Sequence, residues 1–161
     1  MDHLWSPWRY RYLQQPGDPN TGCIFCAKAA EQRDAENYIV HRGERNFVIL
    51  NLYPYTTGHM MVVPYEHVAS LAATPVETLA EMMELSRKAE SALGTIYKPH
   101  GYNLGMNLGE AAGAGIAGHI HMHVLPRWRG DANFVSTVGE TRIMPEELPV
   151  TWEKLVTEFA R

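Results

Sequence analysis

Histidine recurs at every second position of His119-Ile120-His121-Met122-His123-Val124-Leu125, with apolar residues between. Successive side chains of a strand point to opposite faces of a sheet, so this alternation predicts three imidazoles on one face. Ile120, Met122 and Val124 then anchor the other face, and Pro126, which has no N–H, is expected to end the strand. Single histidines are ordinary surface or core residues, but three in register give a sheet little stability and point to chemistry. A neutral imidazole nitrogen attacks phosphorus well and leaves well, so a histidine can carry a phosphoryl or nucleotidyl group between two oxygens. The step needs the other ring nitrogen held as a donor, to a carbonyl for example. It also needs donors for the non-bridging oxygens. His121, with a neighbour on either side, is the candidate nucleophile, and His123 the candidate charge-stabilising donor. The small-residue loop that precedes them, Gly109-Glu110-Ala111-Ala112-Gly113-Ala114-Gly115-Ile116-Ala117-Gly118, could cradle a phosphate on its N–H groups, with Asn107 at its edge. The rival reading is that the three imidazoles together bind a metal ion.

A second cluster of reactive residues is the pair Cys23-Ile24-Phe25-Cys26, which holds both cysteines of the chain. In a reducing compartment this spacing suggests a metal or redox site rather than a structural disulfide. No thioredoxin-like βαβ unit follows the pair. A tetrahedral zinc site needs two more ligands, and spacing alone does not choose them among eight histidines. His3, His41 and His100 read as surface residues.

The elements that must position these groups follow from periodicity and breakers. Residues 1–20 read as an extended aromatic arm closed by Pro16-Gly17-Asp18-Pro19-Asn20, packed on a partner subunit or on its own domain. A short helix is expected from Cys23 to about Asp34, then strands at 38–41 and 46–52 around a turn at Arg42-Gly43-Glu44. Phe47-Val48-Ile49-Leu50 is continuously apolar, as in a strand buried on both faces. A third strand is expected at 59–63, stopped by Pro64. Thr74-Pro75-Val76-Glu77 reads as a capping box opening a helix to about Tyr97, with Leu79, Met82, Met83, Leu85, Ala89, Ala92 and Leu93 as its core stripe. Further strands are expected at 102–107, 119–125 and 134–138, and a C-terminal helix at 145–160, irregular near Pro149. Strands, one long helix, then strands again argue an α+β domain, residues 1–161, on an antiparallel sheet.

Composition narrows the function classes. The chain has 161 residues, 45% of them hydrophobic, and a net charge of −4. That charge gives no electrostatic footprint for nucleic acid. No apolar run reaches the length of a membrane span, and the N-terminus has no signal-peptide core, so a cytoplasmic protein is expected.

The motif His119-Ile-His-Met-His-Val-Leu125 resembles the signature of the histidine-triad (HIT) superfamily, His-φ-His-φ-His-φ-φ with φ apolar. The likeness extends over Cys23-Ile-Phe-Cys26, Asn46-Phe-Val-Ile-Leu-Asn51, Gly58-His59-Met-Met-Val-Val-Pro64, His67 and Asn103-Leu-Gly-Met-Asn107. Trp5-Ser-Pro-Trp-Arg9, Asn51-Leu-Tyr-Pro-Tyr55, Pro126-Arg-Trp128 and Gly130-Asp-Ala-Asn-Phe134 look like the branch that includes diadenosine tetraphosphate phosphorylases. The resemblance implies a HIT-like fold, with about five antiparallel strands, one long helix and a C-terminal helix. It implies a nucleotidyl-histidine intermediate on His121, with His123 on the α-phosphate. Ile24, Phe25 and Ile49 would hold the base, and Asn51 the ribose, where relatives often carry an acid. Asn107, Gly113 and Gly115 would sit around the phosphate. It also implies a structural Zn2+ on Cys23, Cys26, His67 and His119, and a homodimer. Many relatives carry Gln, Ser or Thr just before the triad. Here the run is Ala114-Gly115-Ile116-Ala117, so backbone N–H groups would serve instead. The expected reaction is cleavage of a dinucleoside polyphosphate at the α-phosphate, with phosphate or water as acceptor. Alternatives are hydrolysis of nucleoside phosphoramidates and a non-catalytic, zinc-stabilised nucleotide-binding module.

Overall fold

The computed structural model describes residues 22–139, 141 and 143–161. The predicted arm at 1–20 lies outside the described residues. Five antiparallel strands form one sheet: β1 (Ile39–Arg42), β2 (Asn46–Leu50), β3 (Met60–Pro64), β4 (Gly101–Gly105) and β5 (Met122–Arg127). Their order across the sheet is β1-β2-β3-β5-β4. Helices α1 (Ile24–Ala30) and α2 (Asp34–Asn37) precede the sheet, and the long α3 (Val76–Tyr97) joins β3 to β4. The short α4 (Phe134–Thr137) and the C-terminal α5 (Leu148–Phe159) follow it.

Period-two alternation divides the sheet between two cores. Val48, Leu50, Met60, Val62 and Val124 face Met82, Leu85, Ala89 and Leu93 of α3 and Leu155 and Phe159 of α5. Phe47, Ile49, Met61 and Val63 face the other way, onto Phe25 of α1. Every residue of β2 and β3 is buried, as the continuous apolar run at 47–50 predicts. In β5, His123 pairs with Met61, and so lies on the Phe25 side.

Several boundaries differ from expectation, each for a local reason. β5 starts at Met122, because the Ile120 N–H turns aside to the Val68 carbonyl (2.8 Å). Even so, the alternation carries through: Ile120 lies in the α3 core, while the rings of His119 and His121 pack on Phe25. Pro126 does not end β5. Pairing with β3 stops at Met60↔Val124, so a missing N–H at 126 breaks no bond there, and the β4 register continues to Gly101↔Arg127.

The Thr74 capping box does not form. The Thr74 hydroxyl donates to the Ser70 carbonyl (2.8 Å) in the preceding turn, and Pro75 is the N-cap. The core stripe of α3 keeps Met82, Leu85, Ala89, Ala92 and Leu93 as predicted, but Met83 is exposed, while Thr78 and Ser86 are buried. The Ser86 hydroxyl returns to the Met82 carbonyl (2.7 Å), which lets a polar residue sit inside. Residues 134–137 are helical, not a strand, because Asn133 and Ser136 form a reciprocal capping box that outweighs β-propensity. α5 begins at Leu148 with Pro149 in its first positions, where a lacking N–H is harmless and causes no irregularity.

Candidate functional site

Cys23 caps α1 and Cys26 lies in its first turn, so both sulfurs emerge on one side of the helix end. His67, in the loop after β3, and His119, just before β5, meet them there. One ligand atom from each of the four lies within 4.8 Å of all the others. Cys23 Sγ is 3.2 Å and Cys26 Sγ 3.6 Å from His119 Nδ1, and Cys26 Sγ is 3.4 Å from His67 Nδ1. Zinc bonds of about 2.3 Å to sulfur and 2.0–2.1 Å to nitrogen at a tetrahedral angle put S and N about 3.6 Å apart. The donor set and spacing therefore fit that ion. The His119 Nε2–H donates to the Pro64 carbonyl (2.9 Å), which leaves the Nδ1 lone pair facing the sulfurs. Burial and the neighbouring Cys23 push the Cys26 thiol up, a trend that a bound cation reverses. Both cysteines are free thiols. The three triad imidazoles do not converge on one point as a three-histidine metal site would require. Only His119 belongs to the cluster.

His121 is buried, with Nδ1 2.9 Å from the main-chain oxygen of His119. A carbonyl only accepts, so Nδ1 carries the proton and Nε2 the lone pair. Burial lowers the pKa of this ring and keeps it neutral. It packs on Phe25 (centroids 5.1 Å apart) and on His123 (4.8 Å).

His123 is oriented by His59, which lies outside the triad motif. His59 is buried, and its Nδ1 accepts the Tyr55 N–H at 3.2 Å. A neutral His59 must then be protonated at Nε2, which lies 2.9 Å from His123 Nδ1. His123 Nδ1 therefore accepts, and the His123 proton sits on Nε2. That atom is buried with no partner among the described residues. Burial first, and His121 second, hold the His123 pKa at about 4. The result is a neutral N–H donor on His123 beside a neutral His121 ring whose Nε2 carries the lone pair. The signal for His59 was its parity with Met61 on β3. Spacing could not show that β5 would be the next strand.

The remaining predicted residues are spread around this pair. Ile24 is exposed on α1, while Phe25 and Ile49 lie within the second core. Asn51 accepts the Tyr53 N–H (2.9 Å), and its amide nitrogen is 3.4 Å from His59 Nδ1. Asn107 lines a groove with His123. The Gly113 N–H donates to the Glu110 carbonyl and the Ala114 N–H to Gly109, so these amides are engaged inside the loop; Gly115 is exposed. His41 is half-buried against Phe159 rather than on the surface, and His100 Nδ1 accepts the Arg129 N–H. His3 lies outside the described residues.

A family model described as HIT domain matches residues 32–130. The chain belongs to the HIT family. An AP-4-A phosphorylase of Mycobacterium tuberculosis is 40% identical over 167 residues, spanning 100% of this chain and 86% of the relative. The HIT fold recurs in a zinc-bound histidine triad family protein from Mycobacterium smegmatis. That structure is 31% identical with a TM-score of 0.71, over 86% of this chain and 94% of that one. A hypothetical histidine triad nucleotide-binding protein from Sulfolobus tokodaii is 26% identical with a TM-score of 0.69, over 86% and 92%. No helix among the described residues of this HIT protein is long and apolar enough to cross a membrane.

Proposed function

We propose that this HIT protein cleaves a dinucleoside polyphosphate at an α-phosphate through a nucleotidyl-histidine on His121. The observation that carries the reading is the paired tautomer assignment. His121 Nδ1 is tied to the His119 carbonyl, and His123 Nδ1 is tied to His59, so a lone pair and an N–H are presented side by side. His121 Nε2 attacks the α-phosphorus, and the bond from phosphorus to the bridging oxygen breaks. The leaving nucleotide takes that oxygen and its electron pair. The His123 N–H, with loop N–H groups beyond Ala114 and with Asn107, meets the charge on the non-bridging oxygens. In the second step an acceptor oxygen bonds to phosphorus, the phosphorus–nitrogen bond breaks with its electrons returning to His121 Nε2, and any proton on the acceptor oxygen leaves to solvent. Phosphate as acceptor gives a nucleoside diphosphate, and water gives a monophosphate.

Cys23, Cys26, His67 and His119 would hold Zn2+ in a site with no open position, so the ion's contribution is structural. Ile24, Phe25, Ile49 and Asn51 would receive the nucleoside, and Gly113 and Gly115 would flank the phosphate. The reading also takes the protein as cytoplasmic and homodimeric; a sedimentation measurement at micromolar concentration tests the dimer. Phosphoramidate hydrolysis is disfavoured by Ala114-Gly115-Ile116-Ala117, which has no side chain to protonate a departing amine. A polyphosphate leaves without that proton. The 40% identical relative bears the phosphorylase name, which supports phosphate as acceptor. Product analysis with diadenosine tetraphosphate checks this. ADP formed only when phosphate is present is the expected outcome, and AMP in equal yield with and without phosphate would reject phosphorolysis.

A further inference from the structure

We propose that the groove beside His123 is a phosphate subsite, which holds first the leaving polyphosphate and then the incoming phosphate. Its donor is Asn103, oriented by the pair Asp131–Arg127. The proposal rests on the reading of His121 as nucleophile.

On β5, alternation places His123, Leu125 and Arg127 on one face. The β4 residues opposite the first two, Gly105 and Asn103, share that face. His123, Leu125, Gly105 and Asn103, with Tyr55 and Asn107 among its other walls, line a groove of about 210 Å³. Gly105 keeps it open: a Cβ there would point into empty space. A volume of this size is below the roughly 300–1,000 Å³ of a pocket for a drug-sized ligand, and suits a phosphate or two rather than a nucleoside.

A phosphorus attacked in line by His121 Nε2 expels its oxygen on the side away from that nitrogen, and the groove beside His123 is adjoining space with room for the departing phosphates. The acceptor must then approach along the vacated line. A phosphate held there adds its oxygen to phosphorus as the phosphorus–nitrogen bond breaks, and competes with water by proximity.

Asn103 is set to bind an anion. Arg127 Nη1 lies 2.7 Å from its side-chain oxygen. A guanidinium only donates, so that atom is the oxygen, and the NH2 is left to donate elsewhere. Arg127 is itself fixed by Asp131, through Nε at 2.6 Å and Nη2 at 2.9 Å. Asp131 also accepts the Trp128 N–H. The Arg127 hydrogen bond holds the Asp131 carboxyl down at about 2, so the pair stays charged through the neutral range. Exposed ion pairs add little stability. This one instead fixes which end of an exposed amide faces the site.

The test compares wild type with Asn103→Asp, Asn103→Leu and Arg127→Gln. Inorganic phosphate is titrated against each protein by 31P NMR. In parallel, adduct formation is followed against diadenosine tetraphosphate concentration without phosphate, and the ADP:AMP ratio against phosphate concentration. Both Asn103 variants are expected to weaken phosphate binding about tenfold or more, with a matching rise in the phosphate needed for ADP formation. Half-saturation by the dinucleotide should rise in the adduct-forming step, while the adduct level at saturation is kept. Arg127→Gln should show the same pattern, about threefold. Unchanged phosphate binding and ADP:AMP ratio in Asn103→Leu would overturn the subsite, as would an effect confined to Asn103→Asp, which would mark simple charge repulsion. A wild type that binds phosphate through Asn103 but forms no adduct would sink the nucleophile reading and keep the subsite.

Discussion

At His123 a chain of hydrogen bonds decides which ring nitrogen carries the proton. The Tyr55 N–H fixes the His59 tautomer, and His59 fixes that of His123. His59→Ala should therefore lower turnover by about 10²-fold, within the usual range for a positioned proton-handling group. Metal content should be unchanged, and His59→Gln, which can still donate to Nδ1, should recover part of the rate. Equal turnover in His59→Ala would remove the relay. The depressed His123 pKa also makes a stability prediction. The unfolded ring, near 6.5, binds more protons than the folded ring, at about 4, so stability rises with pH between those values. Denaturant midpoints should be level above about 6.5 and fall as pH drops toward 4, and His123→Gln should flatten that slope. The triad and the cysteine pair were legible as chemistry because spacing and residue type suffice for them. The four-residue cysteine–histidine cluster came only with the family resemblance, since Cys26 and His67 are joined by the fold and not by any period. His59 was not legible, because its role depends on which strand lies beside β3.

At the scale of the element, the turns into the strands aim the site. Gly58 precedes His59 with φ +80°, and a Cβ there would sit 2.7 Å from Leu93 Cδ2. Gly58→Ala should cost about 1–3 kcal/mol through backbone strain and overpacking, and should lower turnover by displacing His59. Thermal unfolding and steady-state rates read the two effects. Glu81 of α3 does a comparable job at the β1–β2 turn. Its carboxylate accepts the N–H groups of Glu44 and Arg45 and the Asn46 amide, all at 2.7–2.8 Å. Glu81→Ala should destabilise by about 1 kcal/mol through loss of these three hydrogen bonds, the Asn46 amide keeping its bond to the Thr78 carbonyl, without touching the cysteine–histidine cluster or the triad. β2 and the body of α3 were readable because continuous apolar runs and 3.6-residue periods report burial directly. Thr74, Pro126 and residues 134–137 were misread because each depends on a neighbour: the Ser70 carbonyl, the end of β3 pairing, and the Asn133 cap.

For the whole molecule, the cysteine–histidine cluster joins three segments distant in sequence: the start of α1, the loop after β3 and the approach to β5. The main-chain carbonyl of His119, a member of that cluster, also accepts the His121 Nδ1–H. Cys23→Ser should lose bound metal, lower the melting temperature and reduce turnover together, since ion binding and folding are linked. Metal analysis, calorimetry and rates on the same preparation check it, and full turnover in a metal-free protein would separate the two sites. The α+β class and the antiparallel sheet were legible from the order of strands and helices. The strand order, with β5 placed between β3 and β4, was not, because no local pattern encodes which edges meet. The central claim is the covalent bond to one imidazole. Wild type and His121→Ala should be mixed with diadenosine tetraphosphate, quenched within milliseconds without acid, and mapped by peptide mass spectrometry. A nucleotidyl group on His121 in the wild type, absent together with turnover in His121→Ala, is the predicted result. Turnover that survives in His121→Ala, or an adduct on any other residue, would contradict the account.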